Sequence, residues 1–170
     1  MRIILYSAIF LCLLSCRQIE DSKAKDLEES VQLIPITKDD ISALDFIEFI
    51  LDPKAANVLE SWQKYYEIDQ VIKDVYQADL SFFNDNNEII AALLKDLYAS
   101  VPEIIDTPLI KARLIALETK MLKLEGVVNL SNPQKNELLA VIREFLEAFS
   151  DLNLQINKKF EKDAQKIEKP

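Results

Sequence analysis

The sequence predicts an all-α fold, an antiparallel bundle of four to five helices preceded by a flexible tether. The 170-residue chain contains a single glycine, whereas β-sandwiches and dinucleotide-binding folds need several for tight turns and close backbone approaches. Apolar residues recur at helical spacing through most of the chain after residue 36. Three predicted helices begin with a capping residue followed by proline, a combination that is typical of helix N-termini.

The first two predicted helices follow from capping residues and apolar periodicity. The first covers residues 37–51 and begins with a capping-box pattern formed by Thr37 and Asp40. The second covers residues 53–83 and begins after Asp52, a capping residue that precedes a proline. Its apolar face is unusually broad, which indicates a central helix that contacts several neighbours.

Three further helices complete the predicted bundle. The third covers residues 84–100, starting in an Asn/Asp-rich turn. The fourth covers residues 108–125 after Thr107, and we expect Gly126 to form its left-handed C-cap. The fifth begins at Asn132-Pro133 and runs far into the charged C-terminal segment. Short loops between successive helices favour antiparallel neighbours.

The first sixteen residues have the pattern of a bacterial lipoprotein signal peptide. Arg2 supplies a positive charge, and residues 3–14 form an apolar run that is too short for a permanent membrane-spanning helix. Residues 13–16 read Leu-Leu-Ser-Cys, a lipobox pattern with a small residue directly before the cysteine. We therefore predict cleavage after residue 15 and attachment of lipid to Cys16.

These signals divide the chain into three segments. Residues 1–15 are the predicted signal peptide. Residues 16–36 are the lipidated cysteine and a flexible tether, because they are mostly charged and polar and end near Pro35. Residues 37–170 form the helical bundle domain. We expect the domain to be lipid-anchored to the bacterial envelope, at the outer membrane and exposed at the cell surface.

Composition excludes several classes of chemistry. The chain has no histidine and only two cysteines; Cys12 lies in the predicted signal and Cys16 is the predicted lipid site. Imidazole acid–base catalysis, thiol nucleophiles and histidine–cysteine zinc sites are therefore excluded from the mature domain. A net charge of -9 argues against nucleic acid as a partner. We expect a protein that is not an enzyme and that has no cofactor or metal.

One candidate ligand-binding group lies in the second predicted helix. Asp69 falls within the apolar face of this helix, near Trp62 and Tyr65. It is a structural acid satisfied by hydrogen bonds or ion pairing, a residue at the edge of the apolar face that stays open to water, or part of a cleft that receives a ligand. Trp62 and Tyr65 are either core residues or exposed aromatic residues of a protein interface, where such side chains often dominate the binding energy.

A second candidate group is a basic strip on the fourth predicted helix, formed by Arg113, Lys120 and Lys123. Their spacing places them on neighbouring turns of one face. Either they pair with carboxylates on a solvated surface, or they bind an anionic partner such as a sulfated glycan or an acidic protein.

The chain resembles the small plasmid-type surface lipoproteins of Borrelia spirochaetes. The resemblance rests on the lipobox at residues 13–16, the polar leader, and an all-helical domain without histidine or disulfides. It implies a surface antigen of a tick-borne pathogen that binds a host component or contributes to virulence through immune evasion. It assigns no binding residues to this sequence.

Three functional hypotheses follow from the sequence. The favoured one is a membrane-anchored, non-catalytic binding module whose partner is a host protein or an anionic glycan. The alternative is a periplasm-facing structural lipoprotein that supports the envelope or a membrane complex. The third is a carrier whose bundle cavity, near Asp69 and the aromatic residues, holds a small apolar ligand.

Overall fold

A computed structural model describes residues 35–165 of the chain. The predicted signal peptide, Cys16 and most of the predicted tether lie outside the described residues, as do residues 166–170. The described part contains six α-helices and no strand, which confirms the all-α class but exceeds the four to five helices expected. The helices are α1 (Lys38–Ser42), α2 (Pro53–Val58), α3 (Gln63–Tyr76), α4 (Asn87–Ala99), α5 (Pro108–Val128) and α6 (Lys135–Ala164), with 3-10 turns at Ser81–Phe83 and Glu103–Ile105.

The two longest helices, α5 and α6, form the most extensive helix pair of the described domain. Ion pairs join Arg113 to Asp151 and Lys120 to Glu144, so the two helices are antiparallel. None of the helices within residues 35–165 combines the length and apolar content that a bilayer crossing requires. Apolar residues recur every three to four positions along α5 and form its inner face. They are Ile110, Leu114, Leu117, Met121 and Leu124, all fully buried.

Aromatic side chains pack α3 and the 3-10 turn at Ser81–Phe83 against α6. The ring of Tyr65 stacks between Trp62, at a centroid distance of 5.4 Å, and Phe149, at 5.5 Å. Phe83 meets Phe145 edge-on at 5.8 Å. Each such pair contributes about 0.5–1.5 kcal/mol beyond the burial of its surface, so these contacts help to hold α3 against α6.

The prediction of the first helix is wrong beyond Ser42. The expected capping box is present, because Thr37 and Asp40 exchange side-chain and backbone hydrogen bonds. However, α1 ends after five residues, and residues 43–52 continue as a non-helical segment that we call the strap. Side chains of α6 bind the backbone of the strap and replace part of the hydrogen bonding that a helix would have supplied.

The second predicted helix, over residues 53–83, is divided into α2 and α3. Between them the amide of Trp62 donates to the carbonyl of Leu59 at 2.8 Å. This turn lets Leu59 and Trp62 both enter the core, while Val58 remains 47% exposed. The helical segment ends at Tyr76, well before the predicted end, because the backbone turns at Ala78 with a φ of 62°.

The predicted C-cap at Gly126 is also wrong. Helix α5 continues through this glycine to Val128, and no glycine in residues 35–165 has a positive φ. The C-cap is Asn129, whose side-chain amide donates to the carbonyls of Glu125 and Phe83, each at 2.9 Å. The side chain of Asn129 therefore binds carbonyls at the end of α5 and in the neighbouring 3-10 turn, and takes the capping role that was expected of a left-handed glycine.

Two of the three predicted proline-containing helix starts are confirmed. The side chains of Asp52 and Thr107 each accept a backbone N–H of their own first turn. The third, at Asn132-Pro133, is wrong, because α6 begins at Lys135 with Gln134 as an N-cap that makes no side-chain hydrogen bond. The third predicted helix is confirmed as α4, within a few residues of its expected bounds.

Candidate ligand-binding cleft

A cleft of about 330 Å³ lies between the strap, α3 and α6. Strap residues 48–51 form one wall, and α3 contributes Tyr66, Asp69 and Tyr76. Leu146 lines the α6 side together with other apolar and polar residues. Small-molecule sites are typically concave and mostly apolar, with a few polar groups and volumes of roughly 300–1,000 Å³. The cleft has this character and lies at the small end of that range.

Three polar residues of α6 hold the strap in place, and we call them the polar ladder: Ser150, Asn153 and Asn157. Their spacing places all three on one face of the helix. The Ser150 hydroxyl accepts the amide of Phe49 at 2.7 Å and donates to the carbonyl of Ile47 at 3.0 Å. One side chain thus satisfies two backbone groups of a segment that has no neighbouring strand within residues 35–165.

The two asparagines of the polar ladder continue this pairing along the strap. Asn153 donates its side-chain amide to the carbonyl of Phe49 at 3.1 Å. Asn157 donates to the carbonyl of Ile50 and accepts the amide of Asp52, each at 2.8 Å. The strap wall of the cleft is therefore fixed by hydrogen bonds from a single helix.

Tyr65 connects the polar ladder to α3 beneath the cleft. Its hydroxyl donates to the side-chain carbonyl of Asn153 at 2.8 Å, and its side chain is buried. Burial, with the negative charge of Asp69 as a smaller cause, raises the pKa of Tyr65 well above its ordinary value. Tyr65 therefore remains a neutral hydrogen-bond donor at physiological pH.

Asp69 lies on the wall of the cleft, with a side chain that is 25% exposed. Its Oδ2 pairs with the ammonium of Lys73 at 2.7 Å, one helical turn further along α3. The geometry therefore has features of all three sequence interpretations, because the carboxylate is ion-paired, partly open to water and at the border of a cleft.

The hydroxyl group of Tyr76 joins α3 to the strap. Tyr76 donates to Oε1 of Glu48 at 2.9 Å. Burial raises the pKa of Tyr76 well above its usual value, and the bond to the Glu48 carboxylate adds to this effect. Tyr66, on the same side, donates to the carbonyl of Ala56 at 3.3 Å. The hydroxyl donors of α3 that border the cleft are therefore engaged inside the protein.

Comparison with known proteins assigns no family to this chain, because no family model, curated protein or solved structure matches it. The predicted lipid site, Cys16, lies outside the described residues.

The structure places Trp62 in the core, only 1% exposed, and Tyr65 is also buried. Their rings stack on each other and face the interior. Of the two sequence interpretations, the geometry matches core residues, because neither ring is open to a protein partner. The indole Nε1 of Trp62 has no hydrogen-bond partner within residues 35–165.

The basic strip of Arg113, Lys120 and Lys123 is paired with acids of α6. Arg113 contacts Asp151 at 2.9 Å, while Lys120 and Lys123 contact Glu144 at 2.9 and 2.8 Å. Hydrogen bonds from Lys123 and Lys120 lower the pKa of the Glu144 carboxyl below its ordinary value. The strip lies on α5, which contributes no residue to the cleft, so it does not join Asp69 in one site.

Sequence reasoning missed the strap and the polar ladder. Ser150 and Asn153 are the buried polar residues of the described domain. A sequence signal existed, since Ser150, Asn153 and Asn157 recur at helical spacing beside a strongly apolar face. Buried polar groups need partners, and that requirement points to a non-helical backbone packed against this side of α6.

Proposed function

We propose that this protein is a lipid-anchored, non-catalytic binding module of a bacterial envelope, displayed at the cell surface toward a host component. Anchoring is supported by the lipobox at residues 13–16, which follows a short apolar run. Each buried methylene of an acyl chain contributes about 0.8 kcal/mol, and two or more chains give stable attachment. The resemblance to Borrelia surface lipoproteins favours the same location.

The observation that carries the binding role is the cleft between the strap, α3 and α6. Its walls come from segments that are far apart in sequence, and hydrogen bonds hold them in place before any ligand arrives. A preformed site loses less conformational entropy on binding than one that must be ordered. The absence of histidine from the sequence favours binding over acid–base catalysis.

The basic strip offers a second contact surface for a host protein or an anionic glycan. The side chains of Arg113, Lys120 and Lys123 are 44%, 37% and 47% exposed. Exposed ion pairs contribute only about 0–1 kcal/mol each. An anionic partner therefore displaces Asp151 and Glu144 at small cost, and substitution of Lys120 and Lys123 by glutamine is expected to weaken retention on a heparin column.

Protease digestion of intact cells tests the proposed location and orientation. The protein is detected by immunoblotting, and a soluble periplasmic protein of the same cells serves as the control. Loss of this protein while the control survives supports surface display. Survival until the outer membrane is disrupted contradicts the host-directed role and favours the periplasm-facing structural lipoprotein.

A further inference from the structure

We propose that the cleft binds a small amphiphile with one protonated amine on an apolar or aromatic body, and that the amine sits against Asp69. This inference rests on the proposed binding role and names the class of ligand. It combines three observations on the cleft: the engagement of its hydroxyl donors, the sign of its charge and the size of its apolar walls.

Hydroxyl donors around the cleft are already engaged within the protein. Tyr65 donates to Asn153, Tyr76 donates to Glu48, and Ser150 donates to the backbone of the strap. Acceptor capacity remains at Asp69, because a carboxylate offers about four lone-pair sites and the ammonium of Lys73, which pairs with Oδ2 at 2.7 Å, does not use all of them. The cleft is therefore suited to a ligand that donates hydrogen bonds.

The charge of the cleft lining favours a cation. Glu48 and Asp69 contribute two negative charges, and Lys73 contributes one positive charge. Asp69 is the more enclosed member of its ion pair, with a side chain 25% exposed against 63% for Lys73. Electrostatic interactions strengthen away from bulk water, so an amine beside Asp69 gains more than an anion beside Lys73.

The remaining walls suit a compact apolar body. Ile72, Leu146 and Phe149 line the cleft together with the tyrosine rings of α3. Aromatic faces attract cations as well as apolar groups. A volume of about 330 Å³ accommodates a single ring or a short alkyl chain rather than a two-chain lipid.

The chain contains its own reporter of occupancy. Trp62 is the single tryptophan, and its ring stacks at 5.4 Å on Tyr65, which lines the cleft. Ligand entry beside Tyr65 is expected to change the fluorescence of Trp62. The experiment uses the full chain in phosphatidylcholine vesicles, titrated with 4-phenylbutylamine, 4-phenylbutanol and 4-phenylbutyrate, which share a body and differ in the head group.

We expect saturable binding of 4-phenylbutylamine, at least about tenfold tighter than binding of the alcohol or the acid, because a hydrogen bond to a charged group is strong. Asp69→Asn should weaken amine binding by about tenfold. Lys73→Gln should strengthen it, since Asp69 loses its competing partner. Glu67→Gln, which removes one negative charge from α3 outside the cleft, should leave it unchanged.

Equal affinity for the three probes, or no saturable change with any of them, would overturn the proposal. Unchanged binding in Asp69→Asn, or weaker binding in Lys73→Gln, would also overturn it. Lys73 is mostly exposed, so its variant remains informative if Asp69→Asn fails to fold. Failure of this proposal is distinct from failure of surface display, which protease digestion of cells measures separately.

Discussion

Asn153 accepts a hydrogen bond from the hydroxyl of Tyr65 at 2.8 Å, although 88 positions separate the two residues in the sequence. The same side chain donates its amide to the carbonyl of Phe49 in the strap at 3.1 Å. Asn153 is only 5% exposed, so water cannot readily replace either bond. A single side chain of α6 thus connects α3 and the strap on the two sides of the cleft.

Replacing Asn153 by alanine should lower the free energy of unfolding by about 2–6 kcal/mol, because it leaves two polar groups unpaired, the Tyr65 hydroxyl and the Phe49 carbonyl, at about 1–3 kcal/mol each. Urea denaturation followed by circular dichroism measures the change. Asn136→Ala, at an exposed position of the first turns of α6, is the matched control and should change stability by less than about 0.5 kcal/mol. Equal losses in the two variants would show that the buried bonds are unimportant.

Replacing Ala78 by glycine should stabilise the protein by about 1 kcal/mol. Ala78 follows the C-cap of α3 with a φ of 62°, and its amide and that of Asp79 bind the last carbonyls of the helix. A left-handed conformation costs a non-glycine residue roughly 1–2 kcal/mol. Thermal unfolding measures the gain. Ala112→Gly, on the exposed face of α5, should instead destabilise by about 1 kcal/mol, and a loss in both variants would refute this explanation.

Gly126→Ala should also raise the free energy of unfolding, by about 0.5–1 kcal/mol. Gly126 lies inside α5 with a helical conformation, and a Cβ added there meets no atom within 4 Å. Alanine restricts the unfolded chain and favours the helix. Chemical denaturation of the variant beside the wild type measures the gain. A less stable variant would mean that this position needs the freedom of glycine, as a left-handed cap does.

Asp40 should give the protein an acid-sensitive contribution to stability. Hydrogen bonds from Lys135 and Thr37 lower the pKa of its carboxyl from 3.8 to about 2 in the folded protein. A folded-state pKa below the unfolded value means that the contribution is complete above about pH 5 and is lost as the pH falls toward 2. Asp40→Asn should therefore lower the free energy of unfolding, relative to the wild type, more at pH 7 than at pH 2.5. Urea unfolding at the two pH values measures the difference.

Lys135→Gln provides the control for this prediction, because Lys135 contacts Asp40 at 2.8 Å and is the largest cause of its lowered pKa. An NMR titration of the Asp40 carboxyl should show its pKa rising toward the ordinary value in this variant. A pKa of Asp40 near 3.8 in the wild-type protein would contradict the prediction directly.

The helix starts that depend on neighbouring residues were predictable from the sequence. Thr37, Asp52 and Thr107 each cap a helix through contacts within their own first turn. The strap was not predictable from local pattern, because its partners Ser150 and Asn157 lie more than 100 positions away. The apolar spacing of the strap is typical of a helix, but hydrogen bonds to distant residues determine its non-helical conformation.

Only the part of the candidate site that lies on one helix was predictable from the sequence. Asp69 and Tyr65 were found from their position on one helix face, and both line the cleft. Glu48 and the backbone wall at residues 48–51 could not be found, because they become part of the site only after the strap packs against α6. The burial of Trp62 depends on the turn between α2 and α3, which no strong turn residue marks in the sequence.

Metabolic labelling with an alkynyl palmitate analogue tests the proposed attachment of lipid to Cys16. The labelled protein is purified and detected after coupling to a fluorophore. Cys12→Ala is the matched control, because Cys12 lies in the predicted signal peptide. We predict label on the wild type and on Cys12→Ala, and none on Cys16→Ala. An unlabelled wild-type protein, or label that persists on Cys16→Ala, would contradict it.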